Sequence, residues 1–401
     1  MRTKHCIIMA MLGLFSLCLP AAANILPTVD PEEVGISGKR LAGVRPLILE
    51  GIEKWEYPGA VLVVGRKGKI VFREAFGYFQ WFPEERMMEV NSIFDLASVT
   101  KPVATATSIM ILVEKGKLRL WDKVRSFIPG FQAYVNDETD SGEDACIWHL
   151  LTHTSGLPPY TEVEEVLQKY GDPCSPDDLV RYIAELEKTN APGAEFHYSC
   201  LGYITLAAVI KQLTGISVAD YAEKNIFLPL GMRTTFYNPP NKFRSRCVPT
   251  EYFGGNPLQG IVHDPLARLQ SGVSGNAGLF STADDLAVFA QMILNKGKIR
   301  GRRILSPLTV ERMTEIFPRV FFAGRGLGWD LDSAYSTNGG DLFGAGSFGH
   351  TGYTGTSVCI DPETETFVIL LTNRVHPDDK GSVLSLRSKV ANVVAASIIE
   401  K

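Results

Sequence analysis

Apolar positions keep helical spacing near both ends and through the middle of the chain, with short strand-like runs set between them. Leu41, Val44, Leu47, Ile48 and Ile52 recur at three- and four-residue intervals, which predicts one helix over about residues 38–55. Pro46 inside that span should kink the helix or mark its true start. Residues 60–64 and 70–76 read as strands, and Lys67-Gly68 between them suits a hairpin turn. The far end mirrors this order. Residues 356–360 and 366–371 predict a second hairpin around Pro362, followed by a helix over about 382–399.

The intervening chain reads as helical. Ser175 caps a segment running through Leu186, residues 200–213 form an apolar-rich helix ending near Gly215, and Ser217 opens another. Ser281 and Asp284 are expected to form a capping box ahead of Leu286, Phe289, Met292 and Ile293, with Gly297 as the stop. Strands at both ends with helices between predict a mixed α/β (α+β) fold. An antiparallel sheet is built from both chain ends, flanked by the terminal helices, with a large helical insertion. The sheet region is expected over about 28–120 and 315–401, and the helical region over about 121–314. Glycine and proline punctuate short loops without building a long linker, so residues 24–401 are expected to form one domain.

The first residues stand apart from that pattern. Arg2, Lys4 and His5 precede an apolar run from Cys6 to Leu19 that is short for a bilayer span, and Pro20 and Ala21-Ala22-Ala23 follow. This order predicts a signal peptide over residues 1–23, cleaved before Asn24, and a periplasmic or secreted product with no later transmembrane segment. Lipid modification at Cys18 is disfavoured by bulky Leu17. The 40 Lys and Arg against 44 Asp and Glu leave a net charge of −4 and no basic stripe, so nucleic-acid binding has no electrostatic support. Of the seven cysteines, Cys6 and Cys18 fall in the signal, and the other five lack metal-like pairing.

Candidate chemistry begins at Ser98-Val99-Thr100-Lys101-Pro102, which opens an apolar stretch from Val103 to Val113. Pro102 suits the first turn of a helix, and a helix starting near Ser98 would set Ser98 and Lys101 on one face. A serine hydroxyl needs a nearby base to become a nucleophile. Lysine fills that role only if burial and neighbouring cations lower its pKa from about 10.4. Alone, the pair is a weak signal and reads more readily as a serine cap followed by an exposed lysine. Two companions change the balance. Tyr198-Ser199-Cys200 precedes a helix start, and a tyrosine held near a lysine can act as base and then acid. Gly349-His350-Thr351-Gly352-Tyr353 leads into the penultimate strand, where glycines let a substrate backbone approach closely.

In this order, and with the stretches His149 to Leu157, His263-Asp264, Phe227 to Met232 and Gly275 to Thr282, these motifs resemble the serine β-lactamase and penicillin-binding-protein superfamily. The resemblance is to its class C-like branch, covers about residues 30–395, and is nearest to D-alanyl-D-alanine carboxypeptidase-like proteins and related serine hydrolases. It implies that Ser98 forms an acyl-enzyme, that Lys101 and Tyr198 share the proton transfers, and that backbone N–H groups of Ser98 and Tyr353 form an oxyanion hole. His350, Thr351, Gly352 and Cys200 would line the substrate wall. It implies no metal or organic cofactor. The partner would be a small-molecule or peptide substrate: a cell-wall D-alanyl peptide first, then an ester, then a β-lactam. A peptidoglycan-binding or β-lactam-sensing protein that acylates without turnover is the non-enzymatic counterpart.

Two positions depart from the superfamily pattern. Cys200 stands where many relatives have Asn or Asp, and a thiol is a poor hydrogen-bond partner. His350 stands where β-lactamases carry lysine, so a permanent cation for a substrate carboxylate is missing there, with Arg374 or Lys380 as candidates to replace it. His149 and His153 lie four apart without the carboxylate of a metalloprotease helix and read as structural. The Gly-x-Ser-x-Gly elbow does not occur; around Ser347, Ala345 replaces the first glycine. Cys200 with nearby His197 offers a thiol nucleophile, but its place after Tyr198 favours a wall-lining role.

Overall fold

The computed structural model describes residues 26–136, 141–336 and 339–400, so the segment read as a signal peptide lies outside the described residues. Among these residues, a six-stranded antiparallel sheet joins the two ends of the chain. Strands β1 (Gly59–Arg66), β2 (Lys69–Gln80) and β3 (Arg86–Met87) come from the first part of the sequence. Strands β4 (Phe348–Thr351), β5 (Ser357–Asp361) and β6 (Thr366–Thr372) come from the last part. The order across the sheet is β4-β5-β6-β1-β2-β3, with β1 and β6 paired in the register Val61↔Leu371 and Val63↔Ile369. Lys67 and Gly68, at φ 48° and 79°, make the two-residue turn between β1 and β2, where positive φ at both positions matches the strand twist.

Both faces of the central strands are buried. Val61, Val63, Ile369 and Leu371 enter one core with Phe94, Val99, Val103 and Phe289. Their alternating neighbours Ala60, Leu62, Val64, Val368 and Leu370 enter a second core with Ile48, Val390 and Val394. This two-sided burial is why β1 and β6 read as unbroken apolar runs. The second core is closed by helices α1 (Val44–Glu53) and α5 (Leu384–Ala396), one from each end of the chain. On the other face lie α2 (Thr107–Glu114), α3 (Cys200–Thr214) and α4 (Ala283–Leu294), the last packed directly on β1, β5 and β6.

Some local expectations are corrected. The helix expected over 38–55 is two pieces, Gly38–Leu41 and α1, and Pro46 falls in the first turn of α1, where its missing N–H costs nothing. The cap of α4 is Thr282, whose side chain accepts from the Asp285 backbone; Ser281 instead ends the short strand Leu279–Ser281, where its extended backbone is used in pairing. The five described cysteines are all free thiols.

Candidate active site

The site is built where the chain leaves the short strand Phe94–Asp95 and turns sharply. Ala97 sits at φ 45°, a left-handed conformation uncommon for a residue with a Cβ. Buried Asp95 holds that turn. One carboxylate oxygen accepts from the Ala97 N–H at 2.9 Å, and the other accepts from the His263 N–H at 2.7 Å. From the sheet side, Thr354 and Thr356 donate to the carbonyls of Asp95 and Leu96 at 2.7 and 2.9 Å. Ser98 follows on this clamped turn, half-buried, and Lys101–Ala106 winds as a π-helix before α2 continues. Wider π turns inside helices recur at functional sites.

Lys101 is fully buried and its ammonium donates to Ser98 Oγ at 2.9 Å, to the Asn276 carbonyl at 3.0 Å and, more distantly, to Cys200 Sγ at 3.5 Å. The Asn276 carbonyl reaches it because Gly275 passes against α3; a Cβ there would lie 1.9 Å from the Tyr203 carbonyl oxygen. The Lys101 ammonium also sits 5.0 Å from the centre of the Tyr198 ring. Tyr198 is stacked on His153 at 4.3 Å, and the His153 Nδ1 accepts from the Ser199 N–H at 3.0 Å, which fixes the segment carrying the tyrosine. Burial pulls the Lys101 pKa down and negative charge on Cys200 and Tyr198, where they ionise, pushes it up, with a net upward direction. That direction does not meet the condition under which Lys101 alone would be the base. Burial pushes the Cys200 thiol up, which keeps it a neutral thiol beside that cation.

The opposite wall is β4 and the tight loop after it. His350 is buried, with Nδ1 2.9 Å from the Thr351 carbonyl, and burial together with the Arg325 and Lys101 charges holds its pKa well below the ordinary range. It is a neutral group in the wall. Gly352 has no room for a side chain, since a Cβ would meet Thr356 Oγ1 at 2.1 Å and the Leu96 carbonyl oxygen at 2.5 Å. Arg374 donates to the Tyr353 carbonyl at 2.7 Å and pairs with Asp379 at 2.8 Å.

These residues surround a cavity of about 470 Å³ lined by Ser98, Tyr198, His350, Thr351, Gly352, Tyr353 and Arg374. Lys101 and Cys200 do not line it; Cys200, expected in the substrate wall, instead meets the Lys101 ammonium behind Ser98. Lys380 does not line it and instead pairs with Asp378. Sequence reasoning passed over Arg325, Asp330, Tyr335 and Arg387, which also line the cavity. Arg325 is buried and pairs with Asp330 at 3.1 Å. A signal for this segment was present in Gly326-Leu327-Gly328: Gly328, at φ 96°, would place a Cβ 2.5 Å from that of Ala106 in the segment after Lys101. The His149 Nδ1 accepts from the Cys146 N–H at 2.9 Å, so neither His149 nor His153 offers that nitrogen to a metal. Among the described residues, no single helix is long and apolar enough to cross a membrane.

The family model described as Beta-lactamase matches residues 45–391. An N-acetylmuramyl-L-alanine amidase of Bacillus subtilis is 32% identical, the alignment covering 94% of this chain and 92% of the relative. A Salmonella heidelberg protein named "Putative D-alanyl-D-alanine carboxypeptidase" is 30% identical over 93% of this chain and 92% of its own. Among solved structures, EstCE1, described as a hydrolase with promiscuous acyltransferase activity, matches with a TM-score of 0.73 at 23% identity, covering 89% of this chain and 99% of its own. An octameric penicillin-binding protein homologue from Pyrococcus abyssi matches with a TM-score of 0.64 at 22% identity, covering 88% of this chain and 75% of its own. The two structural likenesses bear on the fold.

Proposed function

The chain belongs to the Beta-lactamase family, and from that premise we propose that it is an exported acyl-serine hydrolase whose nucleophile is Ser98. The observation that carries the reading is the 2.9 Å bond between Lys101 Nζ and Ser98 Oγ, with Tyr198 over the same ammonium at the cavity floor. Ser98 Oγ adds to an ester or amide carbonyl and its proton passes to the Tyr198–Lys101 pair. For that transfer Tyr198 must enter as the phenolate, its charge balanced by the Lys101 ammonium, and its oxygen takes the proton and becomes the phenol. The N–H groups of Ser98 and Tyr353 receive the oxyanion, each contributing about 3 kcal/mol. Collapse expels the leaving group, which takes the proton. Water then repeats the sequence on the acyl-enzyme, releasing the acid and restoring Ser98.

The leading substrate class is a D-alanyl peptide of the cell wall, supported by relatives whose names refer to muramyl-alanine and D-alanyl linkages. A carboxylesterase is the second reading, favoured by a neutral His350 at the position where a permanent cation would meet a substrate carboxylate. Export is supported by the basic, apolar, small-residue order of residues 1–23. The test is turnover of p-nitrophenyl butyrate, a D-Ala-D-Ala peptide and a chromogenic cephalosporin, with mass spectrometry of the acylated protein. Steady release of product and an adduct on Ser98 are expected, with Ser98→Ala lowering turnover by roughly 10⁴-fold or more. Full turnover in that variant ends the proposal, and a burst without turnover selects the sensor instead.

A further inference from the structure

Arg387 is placed against ordinary stability rules. It lies in the first turn of α5, where the helix dipole disfavours a cation, and it is only 6% exposed. Among the described residues no carboxylate pairs with it, its Nε has no hydrogen-bond partner, and a second cation, Arg374, faces it across the cavity wall. A buried guanidinium left without an anion is costly. What it does hold is specific. Its Nη2 donates to the Gly352 carbonyl at 2.8 Å and to the Thr356 carbonyl at 3.0 Å, the two ends of the tight loop that carries Tyr353. The same loop is closed by the Gly352 N–H on the Thr356 carbonyl at 2.8 Å.

The Gly352 carbonyl and the Tyr353 N–H belong to one peptide group. A charge-assisted bond at the oxygen end draws electron density from the nitrogen and makes its N–H a stronger donor. We propose that Arg387 is a positioning residue that orients and polarises the Gly352–Tyr353 peptide, so that its N–H is aimed at, and strengthened for, the oxyanion formed on the Ser98 adduct. This rests on the reading of Tyr353 as an oxyanion donor. The guanidinium acts through the peptide and need not touch the substrate.

A neutral ester separates this role from recognition of a substrate carboxylate, because a neutral substrate offers no charge to bind. In Arg387→Met, kcat for p-nitrophenyl butyrate is expected to fall at least tenfold with KM within twofold. Affinity for phenylboronic acid, which forms a tetrahedral adduct on the serine, is expected to fall in parallel. Arg387→Lys, which keeps the charge but not the planar guanidinium whose Nη2 meets both carbonyls, should recover part of both losses and serves as the reading variant if the methionine form does not fold. Unchanged kcat and boronate affinity, or a loss confined to substrates bearing a carboxylate, overturns the proposal. Failure of the wild-type protein to acquire an adduct on Ser98 would instead count against the acyl-serine reading, so the two failures are distinguishable.

Discussion

The cations around the cavity are kept in two ways. Arg325 and Arg374, on the facing wall, are each held by a carboxylate, Asp330 at 3.1 Å and Asp379 at 2.8 Å. Lys101, behind the floor, and Arg387, lining the cavity beside the tight loop, meet only carbonyls, a hydroxyl and a thiol. The paired arginines are partly compensated, although Arg325 still bears on buried His153 and His350. The unpaired cations put net positive potential beside the place where an oxyanion and a tyrosine anion would form, in surroundings that screen little. The difference predicts where charge matters for turnover. Lys101→Met should lower kcat roughly 10³-fold or more while the protein stays folded, since replacing a buried charge by an apolar chain is often neutral for stability. Arg374→Met should cost less than about tenfold, because partly exposed Asp379 can rehydrate. Steady-state kinetics with thermal melts of both variants check this, and equal losses of kcat would erase the distinction.

The same division shows what was legible in the sequence. The sheet drawn from both ends could be read because β1 and β6 are short apolar runs beside clear turn residues, and Ser98, Lys101, Tyr198 and the segment from His350 to Tyr353 could be read because each lies inside a local motif. The structure brings Ser98, Tyr198 and the His350 segment to one cavity, with Lys101 bonded to Ser98 behind it. Arg325 and Arg387 could not be read that way. Their importance comes from burial and from partners contacted across the fold, Gly352 being 35 positions from Arg387, and an arginine in a helix pattern looks the same whether it faces water or a carbonyl. The direction of the Lys101 shift was hidden for a similar reason. It depends on Tyr198 and Cys200, which reach the ammonium only after folding. The misplaced cap at Ser281 has a local cause: adjacent Ser281 and Thr282 both fit a capping pattern, and only strand pairing decides between them.

Burial and the charges around the cavity also impose a cost on nearby titratable groups, and this gives a stability prediction of intermediate size. His153 and His350, both facing Lys101 and Arg325, are held well below 6.5, mainly by burial and further by those charges. Burial also lowers His149 to about 4 and lowers His376. Each is neutral in the folded protein and takes up a proton when unfolded, so the unfolded state binds more protons below 6.5. Stability should therefore fall as pH drops through 6.5, by at most about 1.4 kcal/mol per pH unit for each histidine. Asp95 and Asp285, raised by burial, act in the opposite sense, because the folded state keeps their protons at higher pH than the unfolded state does. Urea midpoints measured from pH 7.5 to 5 should show the net loss, and His350→Gln should flatten the slope by up to one proton. A slope that is unchanged in that variant would mean His350 is not held neutral.

The smallest expected effect falls on Cys200, which borders the unpaired lysine without supplying charge. Its sulfur is 3.5 Å from the ammonium, a weak contact, and burial keeps the thiol protonated. Asparagine at this position would offer Lys101 a carbonyl oxygen and turn an N–H₂ donor toward the cavity, while leaving the cation uncompensated. An added neutral hydrogen bond is worth about 1 kcal/mol, so the ratio of kcat/KM for an amide over an ester should rise about threefold to fivefold in Cys200→Asn. Aspartate at the same position would instead convert Lys101 into a pair of the Arg325–Asp330 kind, and turnover of both substrates should fall. If Cys200→Asn leaves the amide-to-ester ratio unchanged and Cys200→Asp keeps full activity, the lack of a carboxylate beside Lys101 is not what makes its charge effective. The contrast between paired and unpaired cations would then reduce to position alone.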